Sequence, residues 1–478
     1  MYAAPLLTEV AMEKAYRLVL IGGLVVIGLG LLTCQGPALW PASMLTVEPT
    51  STHNLPILLN SSRPASVTTP SAPHVIPSQA CQLADLSMVG GRLWRLDRFA
   101  WSPTGDALAY LGPNEPDDAF MAPLMLVAAP PIGTSQLLVP SAVGDPTWSP
   151  NGSQIAFVAF RPDDQLGTIM VVNTDGSGLL DLLPGDVART DPGAGYKAIE
   201  GWWDEDHLVV ATNCGTGCRH PMVLNLRRHT LEPILPSDQE GNSYAWSPDH
   251  TSIVVTSGAN PRIGVISQDE QEISWLSGHG SLDPTWASFW TFFADWSPDS
   301  SHILFLRQPS DGSAPPELWV WDKETRQVSA LLSGVIAARW SPRGDQIAFV
   351  TLGQPHLGPD GEWQGVVAQG PNPLGVGLYQ WPEGKIIAFL ESGEVDFGYR
   401  YLMESLQSLA PVWSPDGRQL VYYDGIGQVW ILSVDELSQY RVPTLGYPTD
   451  EARWSPDGKR LAIRVSDSLQ IFAIPCSP

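Results

Sequence analysis

One short run, Trp-Ser-Pro-Asp-Gly or a close variant, recurs seven times, beginning at Trp101, Trp148, Trp246, Trp296, Trp340, Trp413 and Trp454. Each copy places an aliphatic residue seven positions after its Trp: Leu108, Ile155, Ile253, Ile303, Ile347, Leu420 and Leu461. Ser-Pro-Asp-Gly suits a type I turn, since Pro sets φ at the second position and Gly supplies a left-handed exit. The runs that follow, such as IAFV, LVYY, ILFL and LAYL, are apolar and rich in β-branched and aromatic residues, as expected of strands buried on both faces. The unit therefore reads strand, tight turn, strand. A third strand follows in most copies, for example TIMVVN (168–173), RIGVIS (262–267), ELWVWD (317–322) and QVWILS (428–433). A fourth follows in KIIAFL (385–390) and QYRVPTL (439–445).

Four strands per unit and a period in the forties describe a β-propeller blade. The Trp spacings are 47, 98, 50, 44, 73 and 41. The 98 spans two periods, and EGWWDEDHLVVAT hides a copy there, with Trp202 at the aromatic position. The 73 contains one further strand pair (376–390) and reads as a single blade with long loops. An all-β propeller of eight blades is expected, with seven as the alternative. Only 24 residues follow Trp454, too few for a fourth strand. The segment GGRLWRL (90–96) is expected to supply it and close the ring, since an open strand edge invites association. WSPDG followed by IAF resembles the TolB-type propeller repeat, itself similar to WD-repeat blades, over nearly all of residues 98–478. The resemblance implies a propeller. The α/β domain that precedes the propeller in TolB has no counterpart here, so TolB's partners are not implied.

Lys14 and Arg17 precede an uncharged apolar run of sixteen residues, 18–33, which meets Cys34 as LLTC. This resembles a bacterial lipobox, which implies a lipidated Cys34 after removal of residues 1–33; an uncleaved N-terminal membrane anchor is the alternative. Both place the remainder outside the cytoplasm. Residues 34–80 form a linker: twenty of the 46 positions 35–80 are Pro, Ser or Thr, and only Glu48 and Arg63 are charged. The propeller spans 81–478. Cys81, Cys214, Cys218 and Cys476 are even in number, as suits disulfides in an oxidising compartment. The favoured pairing is Cys214 with Cys218 in CGTGC, and Cys81 with Cys476. Free thiols or a metal site are the alternatives, although CxxxC without a His cluster fits no strong zinc pattern.

The formal net charge of −24 falls on 81–478, because acidic and basic residues balance over residues 1–80. So acidic a surface repels phosphate backbones, and no nucleic acid is expected. No G-x-S-x-G nucleophile elbow and no S-x-D-x-G-x-T-W box occurs. The histidines of the propeller are scattered, with His250 and His302 in motif turns. The motif Asp249, Asp299, Asp416 and Asp457 read as turn residues, the motif Trp residues as packing between blades, and NTDGSG (173–178) as a hairpin turn. No catalytic residue, metal or cofactor is expected.

In four-stranded antiparallel blades the first-to-second and third-to-fourth connections share one face. Those are short throughout, while the opposite connections are long and variable, as functional loops on a rigid scaffold usually are. Two of the long ones hold Trp286, Phe289 and Trp290, and Phe397, Tyr399 and Tyr401. Aromatics at this density suit a protein or glycan contact surface. The acids Glu115, Asp117, Asp164, Asp360 and Glu394 fall on the same face and favour a basic partner. The reading is a non-enzymatic, membrane-attached binding scaffold. The alternatives are a metal-dependent polysaccharide lyase or other hydrolase with a site at the channel mouth, and a structural component of envelope assembly.

Overall fold

The structure is a computed structural model. It describes most of residues 99–474, together with 74–75 and 82–88, all within one compact unit of residues 63–478. Residues 1–73, Cys81 and Cys476 lie outside the described residues, as do 89–98, which include the segment 90–96.

The described residues are all-β: four-stranded antiparallel blades of a β-propeller, without a helix. Each motif forms the first hairpin of its blade, and each Trp pairs with the aliphatic residue seven positions on, from Trp101 opposite Leu108 to Trp454 opposite Leu461. Third strands form at Gly167–Asn173, Arg262–Ser267, Glu317–Asp322 and Val429–Ser433. Trp202 pairs with Leu208 and takes the motif Trp position, one residue closer because Asp-Glu-Asp makes a shorter turn.

Three features depart from expectation. Six sheets stand as separate blades of four or five strands, not eight. The remaining strands form one seven-stranded sheet, because the thirteen-residue strand Gln136–Trp148 runs unbroken from the outer edge of the Trp101 strands into the first hairpin of the Trp148 strands. Second, the strand beside Ser468–Ala473 is Gln82–Ser87 (β2), some eight residues ahead of the segment expected there. Its alternation explains the choice: Ala84 and Leu86 turn inward onto Phe99, Trp101 and Ile471, while Leu83 and Asp85 face outward. Third, His74–Val75 (β1), expected in the linker, pairs parallel with Tyr440 and Arg441 as a fifth strand. It occupies an edge whose amides and carbonyls would otherwise be unpaired. Among the described residues the 73-residue spacing holds no extra blade; Gln354–Leu357 and Trp363–Val367 form a separate hairpin inserted between the second and third strands of the Trp340 blade.

The turn chemistry repeats closely. The motif Ser is buried in every copy. Its hydroxyl accepts the amide five residues on, at 2.8–3.3 Å in the seven copies. The same hydroxyl donates to the turn carboxylate, as in Ser247 to Asp249 (2.6 Å) and Ser414 to Asp416 (2.7 Å). Burial alone would raise Asp249, but hydrogen bonds from Ser247 and Thr251 outweigh it and hold the carboxyl at about 2.

The indoles tie neighbouring blades. In six of the eight copies, Trp Nε1 donates to the carbonyl just before the Trp of the preceding copy. The pairs are Trp148 to Ala100, Trp202 to Thr147, Trp296 to Ala245, Trp413 to Arg339, Trp454 to Val412 and Trp101 to Arg453, at 3.0–3.4 Å. The last joins the first copy to the last. Arg453 also donates to the Phe99 carbonyl (3.1 Å), and Arg460 to that of Gly105 (2.8 Å).

Candidate interaction surface

The long-connection end of the Trp296 blade gathers the most distinctive group of side chains. Its first strand, Phe289–Trp296, starts there; its second, His302–Pro309, ends there; and its third, Glu317–Asp322, starts there again. Register places Thr291 opposite Arg307 and Arg307 opposite Glu317, so these residues share one face of the sheet with Phe289 and Trp319.

On that face the Arg307 guanidinium lies between two rings, 4.3 Å from the centroid of Phe289 and 4.0 Å from that of Trp319. Both stacks are cation–π contacts, stronger where the cation is withdrawn from water. Glu317 Oε2 receives three donors: Arg307 Nη2 (2.7 Å) and Nε (3.2 Å), and Trp319 Nε1 (3.0 Å). The stack is thus held in one conformation by charge-assisted hydrogen bonds. On the opposite face, Trp290 is 36% exposed, against the mostly buried Phe292 two residues on. The inserted hairpin of the Trp340 blade rises at this end and lies against the outer strand Val328–Ser333 of the Trp296 blade. His356 stands exposed on it.

Of the aromatics singled out from the sequence, Phe289 and Trp290 fall in this group, on opposite faces of one strand. Trp286, Phe397, Tyr399 and Tyr401 lie outside the described residues. Arg307, Glu317 and Trp319 were not anticipated. Their signal was present: in ELWVWD the strand period puts Glu317 and Trp319 on one face, but which residue stands across from them depends on register.

The other expected sites distribute as follows. Cys34, Cys81 and Cys476 are outside the described residues. Cys214 and Cys218 sit at the facing ends of His207–Gly215 and Cys218–Asn225, with Gly215 opposite Cys218; their side chains are not described. Asp249, Asp299, Asp416 and Asp457 are bound within their own turns. NTDGSG closes on itself, Asp175 accepting from the Ser177 amide and hydroxyl. His302 contacts Asp322 (3.1 Å), and His207 contacts Asp204. Among the described residues, no three of His, Cys, Asp and Glu are grouped to hold a metal ion.

No family model matches the sequence, and no curated protein does. Among solved structures, the fold is similar to the Dos1 propeller (TM-score 0.53, 11% identity, covering 83% of this chain and 96% of that one). It is also similar to the C-terminal WD40 domain of Sif2 (TM-score 0.47, 15% identity, 82% and 99%) and to TolB from Acinetobacter baumannii (TM-score 0.33, 17% identity, 69% and 77%). A further match is an oligogalacturonate lyase in complex with manganese (TM-score 0.44, 12% identity, 81% and 99%). At such identities the likeness carries fold and no activity, and what the Dos1 comparison and the sheets together establish is a β-propeller of four-stranded antiparallel blades.

Proposed function

We propose that this protein is a non-enzymatic binding scaffold outside the cytoplasm, recognising a protein or glycan partner through the long-connection face of an eight-bladed ring. The observation that carries the reading is Trp290, exposed at the end of a strand whose other face is locked by the Phe289–Arg307–Trp319 stack. An exposed indole offers a large contact area at the cost of only two side-chain torsions, which is why such residues anchor interfaces. A net charge of −24 favours a basic partner.

The eight-bladed ring follows if the seven-stranded sheet is read as two four-stranded sets sharing Gln136–Trp148. Closure by β2 is supported by its pairing with Ser468–Ala473 and by the Trp101–Arg453 bond. The repeat is of TolB type on its motif chemistry. Residues 1–34 attach the chain to the membrane, through a lipidated Cys34 or as an uncleaved anchor. Cys81–Cys476 and Cys214–Cys218 disulfides belong to this reading: Gln82 lies opposite Phe472, and Gly215 opposite Cys218.

The test uses the full chain, purified in detergent, to capture partners from solubilised membranes, followed by affinity measurement on the captured partner. Trp290→Ala, alone or with Trp286→Ala, should weaken binding at least about tenfold, or ~1.4 kcal/mol, with the melting temperature nearly unchanged. Equal affinity of wild type and variant, or a variant that chiefly melts early, would show Trp290 to be core and end the proposal.

A further inference from the structure

We infer that Asn151 is a site of spontaneous covalent modification, its side-chain amide converting to a carboxylate through a cyclic imide formed with the Gly152 nitrogen. Asn151 and Gly152 take the third and fourth positions of the Ser-Pro-Asn-Gly turn in the Trp148 copy, and Asn-Gly occurs nowhere else in the chain. Imide formation needs an unhindered nitrogen after the Asn. Glycine, with no Cβ, leaves that nitrogen open.

The turn holds the amide ready for attack. Asn151 is exposed at the tip of its hairpin. Its Oδ1 accepts the Ser149 hydroxyl (3.0 Å) and the Ser153 amide (2.8 Å). Both donors polarise Cγ, and both point at the oxygen on which negative charge gathers when a nucleophile adds there, as in an oxyanion hole. Nδ2 makes no hydrogen bond to a described residue, so the leaving nitrogen is open to water. One bond opposes the reaction: the Gly152 amide donates to the Ser149 carbonyl (2.9 Å). It must break before the nitrogen can turn toward Cγ. A lone turn bond at a hairpin tip opens on far shorter times than imide chemistry takes, so it slows the conversion without preventing it.

Water is the only reagent required. Base removes the Gly152 amide proton, the nitrogen bonds to Asn151 Cγ, and the Cγ–Nδ2 bond breaks, Nδ2 leaving as ammonia with a proton from water. Water then opens the ring. Breaking the new N–Cγ bond leaves aspartate at this position; breaking the bond from the same nitrogen to the main-chain carbonyl carbon leaves isoaspartate, which adds a methylene to the main chain.

The other copies show why the aspartate product suits the fold. Asp249, Asp299, Asp416 and Asp457 each accept the hydroxyl of the Ser two residues before and the amide two residues after, as Asn151 does. Asp416 and Asp457 also precede glycine. Burial alone would raise them, but hydrogen bonds from Ser414 and Arg418, and from Ser455 and Lys459, hold them below the usual carboxylate range. An ionised carboxylate resists attack by nitrogen, so these two sites stay inert while the neutral amide of Asn151 reacts.

The test is peptide mapping of the full chain, purified in detergent and kept folded at mildly alkaline pH in oxygen-18 water. The peptide containing Asn151 should lose ammonia and take up solvent oxygen several-fold faster than those containing Asn173 or Asn225, which precede Thr and Leu. Asn151→Gln, whose imide ring would be one atom larger, should leave that peptide unchanged over the same interval. The chain unfolded in urea is the positive control. Conversion at Asn151 in urea but not in the folded chain would show that the turn protects the amide, and would overturn the inference. Equal conversion at Asn151, Asn173 and Asn225 in the folded chain would overturn it as well.

Discussion

At the scale of single residues, the motif is a hydrogen-bonding device centred on a buried serine. Four copies set an Asp two residues after the Ser, with Ser Oγ to Asp Oδ1 distances of 2.5–2.7 Å. The Trp148 copy has Asn151 there, at 3.0 Å from Ser149. Charge-assisted bonds are shorter and stronger. Asn151→Asp should therefore raise stability by about 0.5–1 kcal/mol at neutral pH. The gain should fade as pH falls through the depressed carboxyl range, and denaturant melts at pH 7 and pH 3 would measure it. The indoles offer a second contrast. Trp101 Nε1 has an acceptor in Arg453, whereas the Trp246 and Trp340 Nε1 atoms are buried without a hydrogen-bond partner. Trp101→Phe should cost about 1–3 kcal/mol by stranding a buried carbonyl, and Trp246→Phe distinctly less. Equal losses in thermal melts would remove the indole bonds as the cause. The turn roles of Ser, Asp and Gly were legible in the sequence because a type I turn is a local object. The acceptors of the indoles were not, since each lies one blade away.

At the scale of elements, the two orphan indoles share a setting. The carbonyls they would reach belong to Gly201 and Asp295, and both residues border register shifts in their strands. A bulge can turn a carbonyl off line, but Thr147 also borders a shift and still accepts the Trp202 indole, so a bulge alone does not decide the bond. Other contacts fill the gap: Trp203 packs edge-on against Trp246, and Trp381 against Trp340. At the second bulge the Asp295 carboxylate accepts the Trp340 amide (2.9 Å), with Arg339 3.9 Å away. Burial, opposed by Arg339 and by the Trp340 and Trp296 amides, pushes Asp295 up to about 6, although its side chain keeps 23% of its surface. A carboxyl raised above its unfolded value of about 4 binds its proton more tightly in the fold, so its contribution falls as pH rises from about 4 to about 6. Asp295→Asn should remove that fall, raising the melting temperature relative to wild type at pH 7.5 and leaving it alike at pH 4. Parallel pH profiles for the two proteins would contradict this. The strands themselves were legible, third and fourth strands included, because alternation and β-branching are local signals. The unbroken Gln136–Trp148 strand was not, since whether a chain bends between two sheets depends on what packs beside it.

At the scale of the molecule, the first and last parts of the chain are interlocked. β2 lies on Ser468–Ala473, Met88 packs with Phe99 and Leu469, and Arg453 spans to the Phe99 carbonyl. Deleting residues 82–88 should uncover the edge of Ser468–Ala473 and leave a protein that associates through it. Light scattering and thermal melts would show aggregation and a lower transition. A monomeric, cooperatively melting truncation would locate the closing contacts elsewhere. A chain joined this way gains from contacts of the longest sequence separation, which form late and cost the most loop entropy.

What the sequence determined by itself was the repeated unit. Turn, strand and Trp position follow from interactions within about ten residues, and seven copies of Trp-Ser-Pro leave little choice of architecture. It also put Phe289 and Trp290 among the candidate contact residues. The tertiary structure decided which segment lies on the last blade, where blades run together, and that Arg307, Glu317 and Trp319 assemble beside Phe289. Those outcomes depend on strand register and on edges left open by residues hundreds of positions away, and a one-residue slip reverses every face. Gln82–Ser87 takes the edge because its alternating side chains bury one face and wet the other, a property that has meaning only once Phe99, Trp101 and Ile471 are in place to be covered.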